Sequence, residues 1–439
     1  KEEDLVGQLV IGLAPHISAG LVGRIIGFSE TQGLFTHPMY HAGLRRDCVH
    51  PSTRFIYINP SQEFHLQAEE IGPFVERLIS QGARTKVIDA VGTIKVELGA
   101  PLFAYGVDPH TKKLKKKAIR YFIKGPNPET WIKITTATNR KYMMTPTHDF
   151  LYISEGQFCF KKAKDILVGD KVPLLQNFPQ IQPGKQYFNI LSLLVENVPD
   201  AFLSNLIIEL PSFIRPTVQK IGRSRILDII SKKSRNLNNW YKQTPLSDIK
   251  KLLFAKVIVM EDLIKNKATV RVKFSDRRYN LPLPITNNLV SLLGYYAAEG
   301  YCRKTKWVSQ VSFRVGNADI REAIVNSSKE VFGIVPSLGE EGTKITIGDQ
   351  LVYLLFRYCF KAGSNAYDKR VPSLLYSLPD HLIAAYLSAF IDGDGSVVPQ
   401  RNSIVLYSVN RSLLDDLALL LARFGVVTRY HTTLPRFPG

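Results

Sequence analysis

Two stretches decide how this chain is read: Leu292–Gly300, LLGYYAAEG, and Leu387–Gly395, LSAFIDGDG. Each is an apolar run with small residues that closes on an acid and a glycine. The acids, Glu299 and Asp394, stand about 95 residues apart, a spacing that suits one α+β unit used twice. The text downstream of each copy also corresponds. Ser312–Val335 reads SFRVGNADIREAIVNSSKEVFGIV and Leu406–Val427 reads LYSVNRSLLDDLALLLARFGVV. Both predict a strand, an Asn-containing turn and an amphipathic helix ending at Phe-Gly. Helices rich in Gly and Ala can pack closely, which would set the two terminal acids side by side. Paired carboxylates at helix ends suit a hard divalent cation, and such a cation can drive phosphodiester cleavage.

This repeat resembles the pseudo-two-fold LAGLIDADG homing endonucleases, an α+β fold. The resemblance implies that Glu299 and Asp394 bind Mg2+ and that double-stranded DNA, the homing site, is the substrate. Lys369–Pro372 (KRVP) between the repeats matches a Lys-x-x-Pro element of that family. The resemblance gives Lys369 a role at the active site, and the plain alternative is a surface lysine. It also lays the strands expected at Trp307–Val315 and Ser396–Ser408 into the DNA groove, where Gln400, Arg401 and Asn402 could read bases. Glu299 replaces the commoner Asp but keeps the carboxylate. The competing reading is a DNA-binding protein that no longer cuts.

Composition agrees with a polyanionic partner. Lys+Arg number 57 against 38 Asp+Glu, a formal charge of +19, so binding should weaken steeply with salt. A hydrophobic fraction of 45% is that of a globular chain. Cys48, Cys159, Cys302 and Cys359 are scattered, with no CxxC pair to suggest zinc or a disulfide framework. No apolar span is long enough for a membrane helix and no signal peptide is present, so a cytoplasmic protein is expected.

The chain changes character at Cys48. Before it, DLVGQLVIGLAPHISAGLVGRIIGF and the His37–Arg46 run resemble the large subunit of the archaeal family-D DNA polymerases. In that family an Asn usually stands where Asp47 is, and an acidic catalytic run comes after the next Cys. Here that run is absent after Cys48. The resemblance therefore implies an interrupted polymerase motif, and a polymerase small subunit as partner of the spliced host. The chain starts and stops in mid-phrase, as an excerpt of a longer reading frame would.

From Cys48 onward the chain resembles an intein. Cys48, Pro51 and Thr53 precede the strand RFIYI; Thr145-Pro146-Thr147-His148 matches a Thr-x-x-His element; Ala163–Val172, AKDILVGDKV, matches a Gly-Asp turn. The chemistry explains the residue types. A thiol is the best side-chain nucleophile near neutral pH, so Cys48 would attack the Asp47 carbonyl, the splice junction being Asp47–Cys48. His148 would protonate the leaving nitrogen, and Thr145 would hold the oxyanion or the amide.

The organisation expected is multidomain: polymerase residues 1–47; an all-β, horseshoe-like splicing (Hint) domain over 48–173; a linker or DNA-contact region over 174–285; and the endonuclease over 286–439. Strands are predicted throughout 48–173. His110–Arg120, HTKKLKKKAIR, reads as a solvated basic hairpin, with DNA contact the alternative. In the middle region Leu203–Ile214 and Arg223–Gln243 read as helical. The second carries Arg223, Arg225, Lys232, Lys233 and Arg235 near Trp240 and Tyr241, a mixture suited to phosphate contact and base stacking.

Overall fold

A computed structural model describes residues 2–13, 20–28, 48–61, 66–88, 92–175, 187–209, 214–231, 237, 240–241, 243–265, 268–280, 282–306, 308–339 and 342–433. The chain forms two compact units, Lys1–Gln176 with Val426–Gly439, and Asn177–Gly425.

In the first unit β1 (Leu9–Leu13) and β2 (Gly20–Arg24) form an antiparallel hairpin. After Cys48 come β3 (Arg54–Ile58), β4 (Leu66–Glu70), α1 (Ile71–Ser80), β5 (Thr85–Val87), β6 (Ile94–Val107) and β7 (Leu114–Lys124). Strands β4, β3, β6 and β5 lie in that order, with β7 also on β6. Two further hairpins complete it, β8 (Ile132–Thr135) with β9 (Lys141–Met144), and β10 (Asp149–Ser154) with β11 (Gln157–Lys162). The unit is β-rich but not all-β, because α1 was not expected. Its apolar residues Ile71, Phe74, Val75, Leu78 and Ile79 recur at helical spacing. Phe74 and Val75 pack with Tyr57, Val96, Leu102 and Phe122 in the core. Pro73 in the first turn is compatible with a helix start, since it forfeits no intrahelical hydrogen bond.

The end of the chain also differs from the expected layout. Val426–Gly439 groups with the first unit rather than with residues 286–425. Tyr430 N donates to Thr138 O at 3.1 Å, Asn139 Nδ2 to Tyr430 O at 3.2 Å, and Arg140 to Thr428 Oγ1 at 3.0 Å.

The second unit opens with β12 (Tyr187–Asn189) and α2 (Ile190–Asn197). Next come β13 (Leu206–Glu209), α3 (Arg223–Ile230), β14 (Thr244–Pro245), α4 (Leu246–Phe254), β15 (Thr269–Val272), β16 (Arg278–Asn280) and β17 (Pro282–Pro284). The order β14-β13-β15-β16 makes a four-stranded sheet. The middle region is thus packed structure within the same unit as the repeats. Leu203–Ile214, expected as helix, holds β13. Its Leu206, Ile207 and Ile208 are all buried, and a short apolar run covered on both faces has no period to distinguish strand from helix.

The two repeats come next. The first runs α5 (Asn287–Glu299), β18 (Gly300–Lys304), β19 (Ser309–Arg314), α6 (Ala318–Phe332), β20 (Ser337–Gly339) and β21 (Lys344–Ile347). The second runs α7 (Asp380–Asp394), β22 (Gly395–Val398), β23 (Ser403–Leu406) and α8 (Arg411–Arg423). Their second helices are capped alike. Asn317 Oδ1 accepts from Asp319 N and Ile320 N, and Asn410 Oδ1 from Ser412 N and Leu413 N, each satisfying free amides of the first turn. Gly333 and Gly425, after the matching Phe residues, have φ +66° and +73°. The sheets differ: β18-β19-β21-β20 in the first copy, β22-β23 alone among the described residues of the second. No helix among the described residues is long and apolar enough to cross a membrane.

Helices α5 and α7 pack along their lengths, and small residues set the distance. A β-carbon on Gly294 would lie 2.9 Å from Ala389 Cβ and 2.4 Å from Tyr386 O. One on Gly393 would lie 2.6 Å from Ala298 Cβ. A methyl at either glycine would force the helices apart, losing close-packed contact along the pair.

Candidate functional site

The sequence marks two sites, one in each unit. In the first unit a short antiparallel contact brings Cys48 to the end of β9. Val49 bridges Met144, and His50 N donates to Met143 O at 2.9 Å. This places Cys48 opposite Thr145. The Cys48 amide donates to Thr145 Oγ1 at 2.9 Å, and Thr145 N donates to Cys48 O at 3.0 Å. Thr145 is buried and the Cys48 thiol is half-buried and free of any disulfide. The loop continues to His148, whose N–H donates to Thr145 O at 3.1 Å, and whose carbonyl accepts from Ala163 N at 2.8 Å. The Gly-Asp turn is held by Asp170, which accepts from Leu167 N at 2.9 Å and pairs with Lys161 at 3.0 Å. Cys48, Thr145 and His148 therefore belong to one loop-and-strand arrangement. Asp47 lies outside the described residues.

In the second unit the ends of α5 and α7 meet. The β-carbon position of Gly393, beside Asp394, is 3.4 Å from Glu299 Cγ. Burial raises the pKa of Glu299, the neighbouring Asp394 charge raises it further, and Lys369 opposes both. Burial likewise raises that of Asp394 against the pull of Lys369. Lys369 is buried, and its Nζ donates to Ala298 O at 2.6 Å, next to Glu299. It is no surface lysine. Burial depresses its pKa to about 8, while Asp394 and Glu299 hold it up.

The position of Lys369 depends on residues that sequence reading missed. Asn410 Nδ2 donates to Lys369 O at 2.7 Å. Fully buried Asp416 accepts from Arg370 Nε at 2.7 Å, Tyr376 OH at 2.9 Å and Val371 N at 3.3 Å. The signal was a charged residue on the apolar face of α8: Asp416 sits between Leu413, Leu417 and Leu420, all buried. A buried charge needs a partner, and Arg370 is that partner.

The donor set fits a hard cation. Two carboxylates, both desolvated and with Asp394 close enough to raise the pKa of Glu299, stand at helix C-termini, the negative ends of the helix dipoles. Oxygen donors suit Mg2+. No cluster of three or more His, Cys, Asp or Glu forms among the described residues, so other ligands would come from water, backbone or substrate.

The expected DNA contacts are dispersed. Arg223 and Arg225 are exposed on α3; Lys232, Lys233 and Arg235 lie outside the described residues. Gln400, Arg401 and Asn402 are exposed at the tip of the β22–β23 hairpin, Asn402 with φ +46°. Trp240 is not available to stack on bases. It is buried and donates from Nε1 to Asp248 at 2.7 Å.

The depressed Lys369 pKa has a testable consequence. Between about pH 8 and 10.5 the unfolded chain binds the proton more than the native one, so native stability rises with pH across that window. The stability of wild type relative to Lys369→Met should therefore increase by up to about 3 kcal/mol on going from pH 8 to 10.5. Denaturant melts at the two pH values would check it, and a constant difference would contradict it.

Comparison with known proteins gives a family match near each end of the chain. Residues 1–56 match the family of the DNA polymerase II large subunit DP2 catalytic domain. Residues 381–436 match the LAGLIDADG-like domain. The DNA polymerase II large subunit of Thermococcus kodakarensis is 32% identical over 432 residues, covering 97% of this chain and 22% of that protein. That of Haloquadratum walsbyi is 23% identical over 468 residues, covering 99% of this chain and 20% of that protein. The chain thus spans about a fifth of the length of these relatives. Among solved structures, the Pab PolII intein has 19% identity and a TM-score of 0.26, covering 31% of this chain and 70% of that one. The PabCDC21-1 intein has 22% identity and a TM-score of 0.23, covering 28% and 70%. This chain is similar to DNA polymerase II large subunits, with a match to the DP2 catalytic domain at its start and to the LAGLIDADG-like domain near its end.

Proposed function

We propose that residues from Cys48 onward form a self-splicing intein that interrupts a polymerase segment and carries a DNA-cutting domain. The antiparallel sheets of the first unit are then its horseshoe-like splicing fold. The observation that carries this reading is the 2.9 Å hydrogen bond from the Cys48 amide to the buried Thr145 hydroxyl. It sets the nitrogen of the scissile Asp47–Cys48 bond against a polar group in a position to hold it. In the first step Cys48 Sγ adds to the Asp47 carbonyl carbon. A C–S bond forms, the C–N bond breaks, and the thiol proton ends on the Cys48 nitrogen. Thr145 fixes the amide and, by rotating its O–H, can donate to the nitrogen as it becomes an amine. His148, on the same loop, relays the proton from the thiol to the leaving nitrogen.

In the second unit Glu299 and Asp394 would hold Mg2+, which when bound supplies Lewis-acid stabilisation to a phosphodiester. Lys369 keeps a positive charge beside both acids and anchors the end of α5 through Ala298. Gln400, Arg401 and Asn402 present polar side chains at a hairpin tip, where they can meet base edges. The substrate is duplex DNA carrying the uninterrupted polymerase sequence. The spliced host is a DNA-directed polymerase that pairs with its small subunit, and the setting is the cytoplasm. A DNA-binding protein that does not cut is the second reading.

Two assays on the wild-type chain test these halves separately. Treatment with a thiol should release residues 1–47 with a mass ending at Asp47, and an intact chain would reject the splicing half. Incubation with Mg2+ and the uninterrupted gene should produce nicks or a double-strand break. Binding without either would favour the second reading.

A further inference from the structure

The basic run His110–Arg120 plays no part in either site. It forms the tip of the β6–β7 hairpin and most of β7. From Asp108 to Lys124 the chain carries seven Lys or Arg against one Asp. Strands β6 and β7 have 14 and 11 residues, so their paired part makes a ribbon on the order of 30 Å long. Its base is covered, since Val96, Leu102 and Phe122 lie in the core. Its outer part is open: Lys113, Lys115, Lys116 and Lys117 are all exposed.

Register decides which lysines share a face. Lys115 pairs with Gly106 and Lys117 with Ala104, so both project from the face on which, beyond Leu102 at the base, β6 offers only the small residues Ala104 and Gly106. The β-carbon position of Gly106 is 3.7 Å from Lys117 Cδ, so the lysine stem covers that glycine. Lys116 belongs to the opposite face, its Nζ 4.3 Å from the Phe103 ring centroid. Lys113 and Lys117 have no acidic partner among the described residues, whereas Lys115 pairs with Asp108. The tip is tied down, with Lys112 Nζ donating to Gly156 O at 2.6 Å. A low, flat, tethered face studded with lysines lets a ribbon approach a duplex without ordering a loose loop. A two-stranded ribbon also has the width that a DNA groove admits.

We propose that the β6–β7 ribbon is a second, sequence-independent contact for duplex DNA, in which Lys113, Lys115 and Lys117 meet phosphates. This rests on duplex DNA being the partner of the second unit. It adds a contact made by the first unit, outside the paired-acid centre.

The test uses the full chain with K113Q/K115Q/K117Q and a random-sequence duplex, reading affinity by fluorescence anisotropy across a salt series. Each phosphate contact contributes about 0.9 to the slope of log K against log salt. The variant should lose about 2 to 3 from that slope and bind tenfold or more weakly at ~0.1 M salt. K113R/K115R/K117R should keep the wild-type slope. Should the Gln variant lose its melting transition, K117Q alone takes its place, with an expected slope change of about 0.9. An unchanged slope and affinity in a folded variant overturns the proposal. So does loss of binding to RNA or to phosphatidylserine vesicles while duplex binding stays intact. Nicking by wild type is read in parallel, so failure of the cutting half leaves the salt slope interpretable.

Discussion

Asp394→Asn should remove DNA cleavage while leaving DNA binding intact. Asn keeps the shape of the side chain and deletes its charge. A charge contact of this kind at a reacting centre is worth about 4 kcal/mol, close to a thousandfold in rate. Glu299→Gln should behave in the same way, because both acids serve one centre. The raised pKa values of Glu299 and Asp394 add a second readout with the opposite sign. A carboxyl group that is harder to ionise in the native state destabilises the fold once pH exceeds its unfolded pKa, so the charge is a liability without a cation. Metal-free Asp394→Asn should therefore melt at or above the wild-type temperature. Mg2+ should raise the wild-type melting temperature and leave that of the variant unchanged. Nicking within threefold of wild type, or an equal Mg2+ shift in both proteins, would remove the paired acids from the mechanism.

The second large effect is expected at the junction. Cys48→Ala deletes the nucleophile and should abolish thiol-induced release of residues 1–47. Thr145→Ala is the more informative change. It strips a buried hydroxyl from the Cys48 amide, 2.9 Å away, and leaves that amide without its partner. Such a loss costs about 1–3 kcal/mol, so release should slow by about 5- to 150-fold. Gel densitometry or intact-mass spectrometry over a time course at fixed thiol concentration would measure it. Release at the wild-type rate from Thr145→Ala would show that the contact does not serve the step.

The legible parts were those written in repeats and in local signals. The two motifs, their acids, the strand–Asn–helix sequel and the Phe-Gly stops all appear where the residue pattern put them, because helix caps and apolar faces are local. The strands at residues 54–58, 141–144, 149–154 and 157–162 were equally plain, whereas Leu114–Lys117, read as part of a basic turn, belongs to β7. What escaped depends on tertiary context. Leu206–Ile208 is apolar without a period, so only its neighbours make it a strand. Trp240 looked available for stacking because its partner, Asp248, is set opposite it by folding. Lys369 could be read either way until the helix ends closed around it. Asp416 announces a buried network, yet only the fold says that the network holds Arg370 and so the residue beside it. Helix α1 differs from these, since its helical period of apolar residues is present in the sequence.

The contact between α5 and α7 carries a further meaning. Aligned on their motifs, Gly294 corresponds to Ala389 and Ala298 to Gly393. Those are the very residues that face each other, so at each crossing level one repeat gives a glycine and the other an alanine. Two copies of the first helix would oppose Ala298 to Ala298, and two copies of the second would oppose Ala389 to Ala389. An added β-carbon already falls within 2.6 Å of one alanine and 2.9 Å of the other, so neither self-pair could close to the same distance. The halves of this internal duplication are no longer interchangeable: each recognises its sibling and rejects its twin, which disfavours pairing of the same repeat from two molecules.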